Sequence, residues 1–327
     1  MIVCNVKLHG FYDFKEFEIC FTHLRTAKIT LVENEFLAFR KTFRYNKLSV
    51  LTGASSTGKT ALGLAIKNIC AFLSDGNKEH LYKMLSEDNA SFEIDLINDG
   101  KNLERYSGSV SGDEVTVYKD TAFVGRSESY EITSRKLTAP VLMKQFESDF
   151  CIYTGEEQLD GELNLNCLDG VLKAIDPTID KVEMVGNEVF LYRAGKKLTY
   201  LPQSIKDGFK IAHLLATMKD GKDRFYYIDD LCINLKSEIE LAVLEKIAAL
   251  ITDDAQVVYA SKNSDALLIG MPKHTFIFIG KEKTDNGYRN FSIAGPERIP
   301  RTTDSVYVAE KNNLFASLTD TASIKAI

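Results

Sequence analysis

The sequence predicts an α/β fold, a mostly parallel sheet flanked by helices, preceded by an N-terminal antiparallel β subdomain. Three observations carry this expectation. Gly53-Ala54-Ser55-Ser56-Thr57-Gly58-Lys59-Thr60 fits G-x-x-x-x-G-K-S/T at every fixed position, with an apolar run before it and a helical stripe after it. From residue 201 onward, amphipathic helical segments alternate with short apolar runs, the pattern of strands joined by crossover helices. Residues 1–50 read mostly as β-structure, some of it alternating with period two.

The elements follow in order. Ile2-Val3-Cys4-Asn5-Val6 reads as a first strand and Phe17-Glu18-Ile19-Cys20-Phe21 as its partner. Ile29-Thr30-Leu31-Val32 and Phe36-Leu37-Ala38-Phe39 are candidates for further β-structure. Leu48-Ser49-Val50-Leu51 suits a buried strand. After Thr60, the apolar residues Leu62, Ala65, Ile66 and Ile69 stand at i, i+3, i+4 and i+7, one face of a helix. Residues of about 74–150 predict an antiparallel β insertion ending in a short helical segment. Its strands are 91–97 and 114–118, punctuated by Gly108, Gly112 and Gly125. Ile152-Tyr153 predicts a strand, 163–174 a helix, and 182–185 with 189–192 a hairpin through Gly186-Asn187. A second helical stripe, Ile211, Leu214, Leu215 and Met218, follows the segment 201–208. The strand Phe225-Tyr226-Tyr227-Ile228 ends in Asp229-Asp230. A helix over 238–251, with Leu241, Leu244, Ile247, Ala248 and Ile251 on one face, and strands at 256–260 and 275–279 complete the pattern. Residues 1–294 read as one domain. Residues 295–327 lose periodicity and read as a tail, packed on the domain or ordered by a partner.

The chemistry lies in two clusters. A strand, a glycine-bounded loop and a helix N-terminus form an anion site, because the first helical N–H groups are unpaired and the helix dipole is positive there. In such a loop the backbone at Gly53, Ser55, Ser56, Thr57, Gly58 and Ala61 cradles phosphates. Lys59 reaches the β/γ oxygens and the Thr60 hydroxyl ligates Mg²⁺. The second cluster is Asp229-Asp230. Asp229 is suited to hold Mg²⁺ and Asp230 to orient the attacking water. Ligands sit at the carboxyl ends of parallel strands, so Lys59, Asp229 and Ser261 are expected to converge.

Bulk properties narrow the setting. The 327 residues are 45% hydrophobic and 26% charged, as in a soluble globular protein. A net charge of −6 argues against a basic nucleic-acid surface over the whole molecule while leaving room for a local patch. The six cysteines show no C-x-x-C spacing and read as reduced thiols of a cytoplasmic protein. No signal peptide or membrane span is expected. The five histidines show no ligand spacing, so no transition-metal site is expected, and His213, inside an amphipathic stripe, reads as structural.

The order of the phosphate loop, the segment 201–208, Ile228-Asp229-Asp230, Asn234-Leu235 and Ala260-Ser261-Lys262-Asn263-Ser264 resembles the ABC-type ATPase heads of the SMC and OLD group. The likeness is to compact OLD-like AAA ATPases of bacterial and phage-defence loci. Val6-Lys7-Leu8-His9-Gly10-Phe11-Tyr12-Asp13-Phe14-Lys15 is similar to their opening strand and turn. The resemblance runs over residues 1–279 and is patchy over 73–141. It implies a P-loop NTPase of ABC-ATPase type that binds ATP and Mg²⁺ and hydrolyses ATP across a composite site in a homodimer or higher homo-oligomer. The counterpart of the signature loop is Ser204-Ile205-Lys206-Asp207-Gly208, with Gly208 and either Ser204 or Lys206 acting on the nucleotide of another subunit. The same segment also reads as an N-cap loop with Asp207 or Ser204 as cap. Gln145 and Gln158 are both candidates for the Mg²⁺-sensing glutamine. The likeness further implies a separate effector protein and a role in phage defence or stress response. A nucleotide-gated scaffold with negligible turnover and a DNA-repair-type ATPase are the alternatives.

The departures from the family pattern point to slow or partner-stimulated hydrolysis. Asp230 stands where glutamate is usual, one methylene shorter. Lys262 stands at the histidine switch position, either contacting a γ-phosphate or solvated. Ser55-Ser56 replaces Asn-Gly, and Asn234-Leu235-Lys236 replaces Gly-Leu-His. No heptads mark a coiled-coil arm, and no nuclease domain is expected after residue 279.

Overall fold

Every residue of Leu48-Ser49-Val50-Leu51-Thr52 is buried, and so is every residue of Gln256-Val257-Val258-Tyr259-Ala260. Strands covered on both faces belong in the middle of a parallel sheet with layers on each side, and that is where they lie. A computed structural model describes residues 1–24, 30–146, 149–154, 164–186, 188–219, 224–253, 255–285, 287–298, 305–312 and 314–315. The strands in chain order are β1 (Ile2–His9), β2 (Phe17–Cys20), β3 (Phe36–Leu37), β4 (Arg40–Arg44), β5 (Leu48–Thr52), β6 (Asn89–Ile97), β7 (Asn102–Ser111), β8 (Glu114–Phe123), β9 (Val141–Leu142), β10 (Ile152–Tyr153), β11 (Lys181–Val185), β12 (Glu188–Arg193), β13 (Lys196–Lys197), β14 (Phe225–Asp229), β15 (Gln256–Ala260), β16 (Phe276–Thr284) and β17 (Gly287–Ala294). The helices are α1 (Lys59–Asp75), α2 (Glu79–Tyr82), α3 (Tyr130–Ser134), α4 (Leu165–Ile175), α5 (Gln203–Lys219), α6 (Ser237–Leu250), α7 (Gly295–Arg298) and α8 (Val306–Lys311).

The central sheet runs β10-β14-β15-β5-β16-β17. Its pairs are parallel except β16–β17, an antiparallel edge hairpin. A second sheet, β2-β1-β6-β7-β8-β9, is antiparallel throughout. It combines the expected N-terminal strands with the β insertion. Side chains of the central strands alternate between two cores. Tyr227, Val258 and Ile277 pack with α1 and the antiparallel sheet. Tyr226, Val257 and Phe276 pack with α5 and α6. The apolar stripe of α1 is buried as its spacing predicts, and Gly76, in the left-handed conformation, closes the helix with an N–H bond to Phe72 O.

Gln256 stitches the two sheets together. It is fully buried; its Oε1 accepts from Val3 N at 2.8 Å, and its Nε2 donates to Val3 O and Asn46 O, each at 3.1 Å. These bonds satisfy the β1 backbone beside the register shift between Val3 and Asn5, where an orphaned buried amide would be costly.

Several expectations are corrected. Thr30-Leu31-Val32 forms no strand, and Ile29 lies outside the described residues. Phe36-Leu37 is a strand, but Ala38-Phe39 is the turn into β4, with Phe39 at φ 62°. Gly108 does not punctuate a turn: it sits inside β7, where a Cβ would lie 2.2 Å from the Phe92 ring. Gly112 does make the β7–β8 turn, at φ 55°. In α6 the buried face includes Glu240 and Val243, while Leu241 and Ile251 are only half-buried. The edge strand β17 carries polar residues that hid it from an apolar-run search. The hairpin of β11 and β12 forms with Val185 opposite Glu188; Asn187 lies outside the described residues. In the tail, α8 and Phe315 pack on the central core, with the Phe315 ring stacked on Phe278. All six cysteines are free. Among the described residues no helix is long and apolar enough to cross a membrane.

Candidate nucleotide site

The loop between β5 and α1 is shaped by its small residues. Gly53 has φ 150°, and a Cβ there would lie 2.1 Å from Ile279 O. Gly58 has φ 100°, and a Cβ there would lie 2.9 Å from the Phe14 ring and 3.0 Å from Asn290 Nδ2. Both positions therefore require glycine, for conformation and for space. Asn290 donates to Thr57 O at 2.7 Å, and Thr57 Oγ1 donates to Ala54 O at 2.9 Å. Lys59 Nζ donates to Gly53 O at 2.7 Å and Ala54 O at 3.0 Å. Lys59 is 4% exposed; burial lowers its pKa, and the nearby Asp230 and Asp229 charges oppose that. It is a cation whose hydrogen-bond acceptors are neutral carbonyls. No side chain caps α1, and no acidic residue occupies its first turn, so the end of the loop is suited to an anion.

The carboxylates meet this loop. Thr60 Oγ1 donates to Asp229 Oδ2 at 2.5 Å. Asp229 Oδ1 is buried and has no hydrogen-bond partner, and burial raises the Asp229 pKa. An orphaned carboxylate oxygen beside a hydroxyl fits a hard divalent cation such as Mg²⁺, which takes oxygen ligands. Asp230 adopts φ 46° and donates its N–H to Ala260 O at 3.0 Å. Its Oδ2 pairs with Lys262 Nζ at 2.5 Å, the side chains being 16% and 43% exposed. The hydrogen bond from Lys262 to Asp230 raises the lysine pKa. Lys262 is thus neither simply solvated nor free for a phosphate: it is tied to the carboxylate expected to direct water.

The segment 204–208 is helix, not a loop before one, because α5 begins at Gln203. Lys206 is exposed and Ser204 half-buried, whereas Gly208 is buried. A Cβ at Gly208 would lie 2.7 Å from Ile175 Cδ1 and 2.9 Å from Leu172 Cδ2, so this glycine lets α5 approach α4. Asp207 is buried and makes no N-cap; it accepts from Gln203 Nε2 at 2.9 Å and Asn234 Nδ2 at 2.8 Å. That pair ties the start of α5 to the loop after β14. A cavity of about 370 Å³ has Thr60, Asp229, Asp230, Gln203, Asp207 and Asn234 in its lining. Gln145 is exposed, ahead of β10, and Gln158 lies outside the described residues. The residue after β10 is Thr154, which accepts from Lys67 Nζ at 3.1 Å and also lines this cavity.

Three supporting residues escape a motif search. Tyr227 runs under α1: a Cβ at Gly63 would fall 2.3 Å from its ring, and its hydroxyl donates to Lys59 O. Asn290 reaches the loop from the edge strand. Glu240 accepts from Ser261 Oγ at 2.7 Å, Asn263 Nδ2 at 2.8 Å and Tyr259 OH at 3.1 Å, and so holds the turn that carries Lys262. The signal for Glu240 was a carboxylate on the apolar side of a helix.

No protein-family model and no curated protein matches the chain. Solved structures do. An SMC head bound to the C-winged helix domain of ScpA superposes with a TM-score of 0.55 at 12% identity, over 92% of this chain and 100% of that one. The fold is that of an ABC-type ATPase head. The SMC head domain from Thermotoga maritima gives a TM-score of 0.49 at 15% identity, over 90% of this chain and 99% of that one. RecF, a recombination mediator protein, gives 0.45 at 10% identity, over 88% and 98%. Within an ABC-type head, the loop 53–60 and Asp229-Asp230 stand together at the carboxyl ends of β5 and β14.

Proposed function

We propose that this head binds ATP with Mg²⁺ and hydrolyses ATP slowly, across a site completed by a second copy of the chain. The observation that carries the reading is Asp229, bonded to Thr60 through one oxygen and leaving the other buried and unpaired. Bound Mg²⁺ supplies positive charge at the phosphate oxygens, with Thr60 Oγ1 and Asp229 as its protein donors. The backbone of Gly53, Ser55, Ser56, Thr57, Gly58 and Ala61 cradles the phosphates. Lys59 exchanges its neutral carbonyl acceptors for the β/γ oxygens, gaining a charge-assisted bond. Asp230 orients water once Lys262 releases it. Exposed Lys206 and half-buried Ser204 are the residues of α5 that face a second copy, and Gly208 acts by seating the helix on α4. A separate effector protein and a place in phage defence or stress response follow from the family resemblance.

The Lys262–Asp230 pair favours a second reading, a nucleotide-gated scaffold with negligible turnover. Oligomer mass and ATP turnover, with and without ATP and Mg²⁺, separate these ideas in wild type, Lys59→Ala and Asp230→Ala. ATP-driven assembly in Asp230→Ala but not in Lys59→Ala is the expected result. Assembly of wild type with no turnover selects the scaffold, and identical masses under all conditions sink the composite site. Salt-sensitive DNA binding by the wild type would instead favour the DNA-repair alternative.

A further inference from the structure

His23, Glu35 and His274 come from distant parts of the sequence and meet at the amino-terminal end of the central sheet, opposite the phosphate loop. His23 follows β2, Glu35 precedes β3, and His274 lies in the short turn Lys273–Thr275 that leads into β16. The two imidazole rings stack with centroids 3.8 Å apart and planes 11° from parallel. Glu35 Oε2 is 2.9 Å from His274 Nε2. One donor atom from each residue lies within 4.8 Å of the others.

The backbone under each residue is fixed. Asn34 adopts φ 55°, a left-handed turn that asparagine tolerates, and the Phe36 N–H closes back on Asn34 O at 2.6 Å. This turn sets Glu35 inward. Asn46 Nδ2 holds His274 O at 2.8 Å, and the His23 N–H bonds Arg44 O at 3.3 Å. Glu35 and His274 are 6% and 5% exposed. The hydrogen bond to His274 uses one oxygen of Glu35; the other, Oε1, is buried with no hydrogen-bond partner. A carboxylate oxygen left in that state is costly, and beside two imidazoles a bound cation would relieve that cost.

We infer that His23, Glu35 and His274 bind a divalent transition-metal ion of the zinc class. Two imidazoles and a carboxylate are a borderline-soft donor set of the kind Zn²⁺ takes. Bonds of about 2.0–2.1 Å in a tetrahedron place donor atoms roughly 3.3–3.4 Å apart, so binding requires the two rings to turn out of their stacked, 11° alignment. A cavity of about 460 Å³ has His23 in its lining, the side from which an ion would enter. The metal ties the chain after β2 and before β3 to the entry of β16. This site is independent of the nucleotide reading, since it shares no residue with it.

The test uses the full chain, stripped with a chelator and titrated with Zn²⁺ alone, read by calorimetry, metal content and thermal melting. One equivalent of Zn²⁺ and a raised melting temperature are expected. Glu35→Gln, which keeps the shape of the side chain, and His23→Ala are each expected to weaken binding by more than about 100-fold. Asp229→Asn keeps the equivalent at unchanged affinity, which separates this site from the Mg²⁺ donors. Substitution by Co²⁺ gives a visible spectrum of nitrogen and oxygen ligation without the thiolate band that a cysteine would add. The inference is overturned if wild type takes up no Zn²⁺, if both Glu35→Gln and His23→Ala keep full affinity, or if only Asp229→Asn loses it.

Discussion

The phosphate loop is held from outside, and the start of α5 is held from beneath. Around Gly53 and Gly58 the strand β16, the ring of Phe14 and the amide of Asn290 press on the loop from three sides, and Tyr227 supports Lys59 from below. The loop therefore keeps its shape through groups that belong to other elements. The segment 204–208 has regular helical bonding, a buried glycine facing α4 and a buried Asp207 facing Asn234. What it offers to solvent is the exposed Lys206 and the half-buried Ser204. A rigid cradle and a helix end tied to the loop after β14 are different kinds of part. In the proposed reading the first holds the nucleotide, and the second joins α5 to the chain after the carboxylates.

The sharpest way to break this contrast is Lys59→Ala. Loss of the one lysine in the cradle is expected to reduce ATP turnover by about 10²–10³-fold, measured as phosphate release, with the melting temperature little changed. Gly63→Ala comes next. Its Cβ would meet a Tyr227 ring held at its hydroxyl and by its strand, so neither can yield. Denaturant unfolding should show a loss of about 2–3 kcal/mol, and a neutral result would mean that α1 floats freely over the sheet. Lys262→Ala removes a half-exposed ion pair of a kind worth up to about 1 kcal/mol. Turnover is expected to rise about two- to fivefold as Asp230 is released; a fall would show that Lys262 serves the nucleotide directly. The smallest effect belongs to Gly208→Ala. Its Cβ meets the flexible tips of Ile175 and Leu172, and a helical alanine gains about 1 kcal/mol over glycine. Stability should stay within about 1 kcal/mol, and ATP-driven assembly should persist. Assembly abolished at unchanged stability would return Gly208 to direct contact with a nucleotide.

Local signals made much of this legible. A glycine-bounded loop between an apolar strand and a striped helix has one common physical use, and the structure adds the bond from Thr60 to Asp229. Alternation of apolar runs and helical stripes was enough for the parallel core. Residues whose meaning depends on distant partners were not readable. Gly208 has the spacing of a ligand-facing glycine, yet only the position of α4 shows that it is a packing glycine. Gly108 looks like a turn until Phe92 is seen across from it. Glu240 and Asn290 are polar residues in elements with other apparent purposes, and their roles appear only when the strands are ordered. The same holds for His23 and His274: separate in sequence by an arbitrary length of chain, they carry no motif, and only the fold stacks them.

The carboxamide of Gln256 has a consequence for how the chain is made. Its bonds to Val3 span 253 residues, so the first strand is synthesised long before the group that completes its hydrogen bonding. At roughly 5–20 residues per second, translation leaves β1 without that partner for about 13–50 s. The antiparallel hairpins, whose contacts are local, can form in that interval, while the join between the two sheets waits for β15. A nascent chain stopped before residue 256 holds a loop that ends in an unfinished sheet, and proteolysis of such stalled chains should cut between the sheets before it cuts within either.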